Sequence, residues 1–98
     1  MNFIILFEDA PQTDPSIRKN HMPQHLSFLE RHAPKIEAAG PLSDPERQGR
    51  DGLWLVDVDS IEDAESLIKE DPFWETGLRA SYSIIPWRLV FSAGSRLI

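Results

Sequence analysis

The sequence predicts an α+β sandwich with its elements in the order β-α-(β)-β-α-β, and three observations carry that prediction. The chain opens on Phe3-Ile4-Ile5-Leu6-Phe7-Glu8, apolar at odd and even positions alike, as a strand covered on both faces must be. Leu53-Trp54-Leu55-Val56-Asp57-Val58 repeats the pattern in the middle of the chain. After each run comes a residue suited to cap a helix, Asp14 and Ser60, with apolar residues behind it at helical spacing.

Phe3–Glu8 reads as a central strand. Asp14-Pro15 opens the first helix, with aspartate as N-cap and proline at the first helical position. Met22, Leu26, Leu29, Ala33 and Ile36 share one helix face, so the helical stretch is expected to run to Ala39 and stop at Gly40. Pro23 is expected to begin a second segment of that stretch, and Pro34 to kink it near its end. Pro41–Leu42 leads into a short strand or turn, and Asp44–Asp51 reads as a polar loop. Ser60 caps the second helix with Asp63 three residues on, in the manner of a capping box, and Asp63 and Glu65 suit the positive end of its dipole. Ile61, Ala64, Leu67 and Ile68 form its expected buried stripe. Asp71-Pro72 opens a short further turn that ends at Gly77. Tyr82–Ile85 and Trp87–Phe91 form the last strand, which Pro86 restricts to a sheet edge or a bend. This order fits a ferredoxin-like βαββαβ sandwich, one domain over 1–98.

Two helices cover only one face of such a sheet. Phe3, Ile5 and Phe7 nevertheless oppose Ile4 and Leu6, and Trp54, Val56 and Val58 oppose Leu53 and Leu55. The second face needs a cover, and a second copy of the sheet supplies one, so a homodimer is expected. Burial in a 98-residue chain points the same way, since it reaches only about 60–70% of the unfolded surface.

A net charge of −6, with lysine and arginine scattered, argues against a nucleic-acid partner. The absence of cysteine removes disulfides, thiolate nucleophiles and cysteine-based metal sites. The opening apolar run is too short to span a membrane and lacks the basic start and cleavage site of a signal peptide, so a cytoplasmic location is expected. No nucleotide-binding glycine pattern is present, and no cofactor is expected.

The chemistry worth pursuing is a histidine and a carboxylate, the minimum for acid–base work near neutral pH. His25 stands close after Pro23, and Asp71 stands at a helix opening. With Pro23 as the first residue of its segment, His25 lies in a first helical turn, where the dipole disfavours imidazolium and a nearby Asp71 opposes it. The bland readings are a half-buried helix histidine beside Leu26 and Leu29, and an aspartate that only caps, as Asp14 and Asp44 do before their prolines. Phe73 and Trp87 are candidate pocket walls. Ser83 adds a hydroxyl by strand alternation. Arg18 and Arg79 suit an anionic ligand or, more simply, a solvated face. His21 and His25 stand four apart, but Pro23 lies between them and no third ligand is evident, so no metal site is expected.

These residues together resemble the YciI-like (YCII-related) family of the dimeric α/β-barrel, ferredoxin-like superfamily. The matching pieces are Phe3–Phe7, Arg18 and Pro23 ahead of His25-Leu26-x-x-Leu29, and Ala39-Gly40-Pro41-Leu42. Gly52-Leu53-Trp54-Leu55-Val56, Ser60-Ile61-Glu62-Asp63-Ala64, Asp71-Pro72-Phe73 with Gly77-Leu78, and Pro86-Trp87 complete the set. The resemblance implies that His25 and Asp71 are the active-site pair. It also implies a small organic ligand: one known type in the family removes chloride from a chlorinated hydroxyquinol, and muconolactone isomerases share the fold. Two readings follow. One is a cofactor-independent lyase or isomerase acting on a small cyclic or carbonyl compound. The other is an accessory module that binds a metabolite or a partner protein without turnover.

Overall fold

Strand β1 (Asn2–Asp9) lies inside a four-stranded antiparallel sheet, as its two apolar faces require. The computed structural model describes residues 1–11, 14–43, 46 and 50–98. Its further elements are α1 (Pro15–Arg31), β2 (Ile36–Pro41), β3 (Gly52–Asp57), α2 (Ile61–Glu70), α3 (Pro72–Glu75), β4 (Arg79–Trp87), β5 (Phe91–Ser92) and β6 (Ser95–Arg96). The sheet order β2-β3-β1-β4 is that of a ferredoxin-like sandwich, and β5 and β6 form a separate hairpin. Phe3, Ile5, Phe7, Trp54 and Val56 face the helices and meet Phe28, Ala64, Leu67 and Ile68 in the core.

The first helix departs from expectation in three ways. It runs unbroken through Pro23 and ends at Arg31, and the next strand starts at Ile36. Pro34 therefore stands in the turn after the helix and introduces no kink, because it has no N–H to continue the ladder. Ile36 and Ala39, read as the end of a helix, instead pair with Val56 and Trp54 along β3. The buried face of α1 is His25 and Phe28, while Leu26 is exposed. Asp14 caps the helix as expected, its Oδ1 accepting from the Ser16 amide at 2.9 Å, and that bond holds its carboxyl below the usual range.

In α2, Ser60 Oγ accepts from the Asp63 amide at 3.1 Å, and Ala64, Leu67 and Ile68 are buried. Ile61 is exposed instead of completing the stripe. Gly77, with φ +77°, makes the reversal between α3 and β4 that an L side chain would strain. Strand β4 is continuous from Arg79 to Trp87, and its place at the sheet edge accommodates Pro86. Of the polar loop expected over 44–51, residues 44, 45 and 47–49, the Asp44-Pro45 pair among them, lie outside the described residues.

A β-bulge between Glu8 and Asp9 matters for the site. Ser81 pairs with Glu8 and Arg79 with Asp9, so the register skips Ala80 and Arg79 turns inward. The Asp9 amide bonds Asp51 Oδ2 at 2.8 Å.

Candidate active site

Asp71 joins two helices. Its backbone N–H closes α2 on the Ile68 carbonyl at 3.2 Å, and its side chain caps α3, Oδ1 accepting from the Phe73 amide at 3.1 Å. The same Oδ1 lies 2.8 Å from His25 Nδ1, although 46 residues separate the two in sequence. Asp71 is fully buried and His25 only 8% exposed, so the contact is shielded from water. An ionised carboxylate only accepts, so the shared hydrogen sits on Nδ1, and Nε2 of the neutral ring is left to accept.

His25 lies in the interior of the 17-residue α1, not in a first turn, so the helix dipole does not bear on it as expected. Aromatic packing sets its plane instead. The Phe73 ring stacks on it at 4.4 Å between centroids and 26° between planes, and Trp54 lies 6.5 Å away.

A cation shares Asp71 with His25. Arg79 Nη2 is 3.3 Å from Asp71 Oδ2, and the guanidinium lies 3.7 Å over the Phe7 ring, with Trp54 and Phe73 at 5.4 and 5.7 Å. The solvated face expected for Arg79 is thus incorrect: its side chain is 6% exposed. Burial pulls its pKa down to about 10 against the opposing pull of Asp71 and Asp9, and at neutral pH it stays charged. Arg18 is half-buried and paired with Asp9 Oδ2 at 2.8 Å.

A cavity of about 110 Å³ opens between α1 and the β2–β3 side of the sheet. His25, Arg18, Arg79, Trp54 and Gly52 are on its wall. A cavity of about 150 Å³ takes up benzene, so this one is of single-ring scale.

The structure groups His25, Asp71 and Phe73, with Phe73 behind the imidazole and outside the cavity wall. Ser83 and Trp87 do not join them. They pair with Leu6 and Asn2 in β1, which turns both to the open face of the sheet, away from His25. Sequence reasoning missed Trp54 as a wall residue and Arg79 as a buried one. The bulge at Asp9 inverts the alternation that would have turned Ala80 inward, and no local signal announces it. His32 Nε2 sits 3.3 Å from Glu70. Among the described residues, no group of three or more histidines and carboxylates could hold a metal ion, and no helix is long and apolar enough to cross a membrane.

Fold and site together define a ferredoxin-like α+β protein with a buried His–Asp pair beside a ring-sized cavity. The chain belongs to the YCII-related domain family, which matches residues 1–88. It is similar to the 5-chloro-2-hydroxyhydroquinone dehydrochlorinase of Burkholderia phenoliruptrix, solved in complex with 2,5-dihydroxybenzoquinone. Identity is 25% and the TM-score 0.73, over 90% of this chain and 94% of that one. More distant structures share the fold. A dimeric ferredoxin-like protein of Bacteroides fragilis is 13% identical with a TM-score of 0.55, over 90% of this chain and 94% of that one. An Arabidopsis thaliana protein is 14% identical with a TM-score of 0.53, over 94% and 97%. No curated protein matches the chain.

Proposed function

We propose that the chain binds a small cyclic or carbonyl compound and acts on it as a cofactor-independent lyase or isomerase. His25 is the base and Asp71 its positioning residue. The observation that carries this reading is the 2.8 Å contact between His25 Nδ1 and a fully buried carboxylate, beside a cavity that His25 lines. The similarity to a dehydrochlorinase held with a quinone supports the ligand class.

In this mechanism Asp71 keeps the hydrogen on Nδ1, and Nε2 takes a proton from a C–H or O–H of the ligand. The electron pair left behind delocalises onto a carbonyl oxygen. The proton then returns at another atom, which is isomerisation, or an anion such as chloride departs, which is elimination. Acid–base assistance of this kind contributes about 10²–10⁴ in rate.

The subunit works as a homodimer. Ile4, Leu6, Leu53, Leu55, Ile85 and Trp87 share the sheet face that the helices leave open, and a second copy covers it. Trp87 belongs to that interface in this reading.

The test is turnover of chlorinated and unchlorinated hydroxyquinols and of small lactones, in wild type and His25→Gln. The expected result is a fall in kcat of about 100-fold or more in the variant. Equal rates in the two proteins overturn the base assignment. A second reading is ligand binding without turnover. It is favoured by the near-complete burial of His25 between aromatic rings, and binding with no turnover of any compound would establish it.

A further inference from the structure

Arg79 carries a donor that the fold does not use. A guanidinium has five N–H groups, and the one on Arg79 Nε is buried without an acceptor among the described residues. Among the described residues its charged neighbour within ion-pair distance is Asp71, whose Oδ2 lies 3.3 Å from Nη2, while Arg79 Nε has no hydrogen bond. Buried polar atoms of native proteins are almost always satisfied, so the free Nε–H calls for an acceptor.

Charge points to what that acceptor is. Asp71 turns Oδ2 to Arg79, while the neutral donor groups of His25 and Phe73 both take Oδ1. Phe7, Trp54 and Phe73 surround the guanidinium with ring faces, which stabilise a cation but accept no in-plane hydrogen bond. The remaining charges on the cavity wall, Arg18 and Asp9, neutralise each other at 2.8 Å. Arg79 is therefore a desolvated cation with a free Nε–H donor, on the wall of a cavity that His25 also lines.

We infer that Arg79 is an anion-recognition residue, and that the cavity takes a planar ligand of about one ring bearing a delocalised oxyanion, a carboxylate or a phenolate. This deepens the proposed function and rests on the same site. The planar fork of arginine matches such oxygens in two parallel bonds. Gly52 leaves room beside the guanidinium, because a Cβ there would stand in van der Waals contact with Arg79 Nη1, at 3.8 Å. An oxyanion held at Arg79 also lies where negative charge develops when His25 removes a proton from the ligand, so one contact serves recognition and turnover.

Isothermal titration with benzoate, 4-nitrophenolate and the neutral benzamide tests the assignment. One or both anions should bind at least 10-fold tighter than benzamide, and which one does identifies the oxyanion. In Arg79→Gln the anion should lose about 10- to 100-fold in affinity, the worth of charge-assisted hydrogen bonds, and with it the advantage over benzamide. In His25→Gln the preference should persist. An equal affinity for anion and amide in wild type, no anion binding at millimolar concentration, or a preference that survives in folded Arg79→Gln each overturns the inference. Should Arg79→Gln fail to fold, the Nε–H resonance of Arg79 in wild type decides: benzoate or 4-nitrophenolate, whichever binds, must shift it, and a resonance unmoved by both refutes the contact. The two proposals fail separately. Anion preference without turnover removes only the catalytic reading, and turnover confined to neutral compounds removes only this one.

Discussion

Replacing Asp71 with asparagine isolates charge from shape at the centre of the site. The asparagine oxygen can still accept from the Phe73 amide, so the cap on α3, worth about 1 kcal/mol, survives. What disappears is the negative charge 3.3 Å from Arg79 Nη2 and 2.8 Å from His25 Nδ1. Arg79 then remains as a buried cation without its ion-pair partner. Breaking a buried pair from one side costs about 3–5 kcal/mol. The Phe7 ring beneath the guanidinium offsets part of this, which places the expectation at the lower end, about 3 kcal/mol. In a chain of 98 residues that corresponds to a fall in Tm of roughly 12–24 °C. Urea and thermal unfolding at one fixed protein concentration measure it. Asp71→Asn combined with Arg79→Met should be more stable than Asp71→Asn alone, because the stranded charge is gone. A loss below about 1 kcal/mol in the single variant, or a double variant that is less stable still, would refute the argument that Asp71 holds Arg79 in place.

Two further outcomes follow from the same geometry. Tyr82 is the one tyrosine of the chain, and burial, then the hydrogen bond to Glu65 at 2.9 Å and the charge of Glu65, raises its pKa above 10.0. The folded state holds that proton more tightly, so the contribution to stability is complete below pH 10 and is lost as pH rises through the folded pKa. Ultraviolet titration should show a midpoint above 10 in the native protein, a return to about 10 in guanidinium chloride, and a lower native midpoint in Glu65→Ala; a native midpoint at or below 10 contradicts it. Ile85 is 44% exposed on the open sheet face, so Ile85→Glu should change the stability of an isolated subunit by no more than about 0.5 kcal/mol while breaking a dimer built on that face. Light scattering should give about twice the 11.2 kDa chain mass for wild type and the single mass for the variant. A monomeric wild type removes the interface from the proposal.

Six of the exposed large apolar residues fall into two groups with different contexts. Ile85 and Trp87 continue a sheet face of intermediate exposure through Ile4, Leu6, Leu53 and Leu55. Val90, Phe91, Leu97 and Ile98 lie on or beside the β5–β6 hairpin, past residue 88, where the family match ends. Its turn passes through Ala93 and Gly94, both at positive φ, as a tight two-residue hairpin demands.

Local rules sufficed for much of this protein. Strands β1 and β3, the caps at Asp14, Ser60 and Asp71, and the ferredoxin-like order all follow from periodicity and capping, which act over a few residues and leave their mark in the sequence. His25 and Asp71 could be singled out as candidates, yet their contact is a tertiary fact, made by the packing of α1 against α3. Three features only the assembled structure decided. Residues 36–39 left a helical pattern because β3 offered a strand edge whose hydrogen bonds and apolar face outweighed the helix signal. The inward face of α1 turned to His25 and Phe28, not Leu26, because Asp71 makes it favourable to bury a polar ring. Arg79 entered the core because one bulged residue inverted the side of the sheet it faces. A charge on a strand reads as solvated until its register is known, and register belongs to the pairing of distant segments.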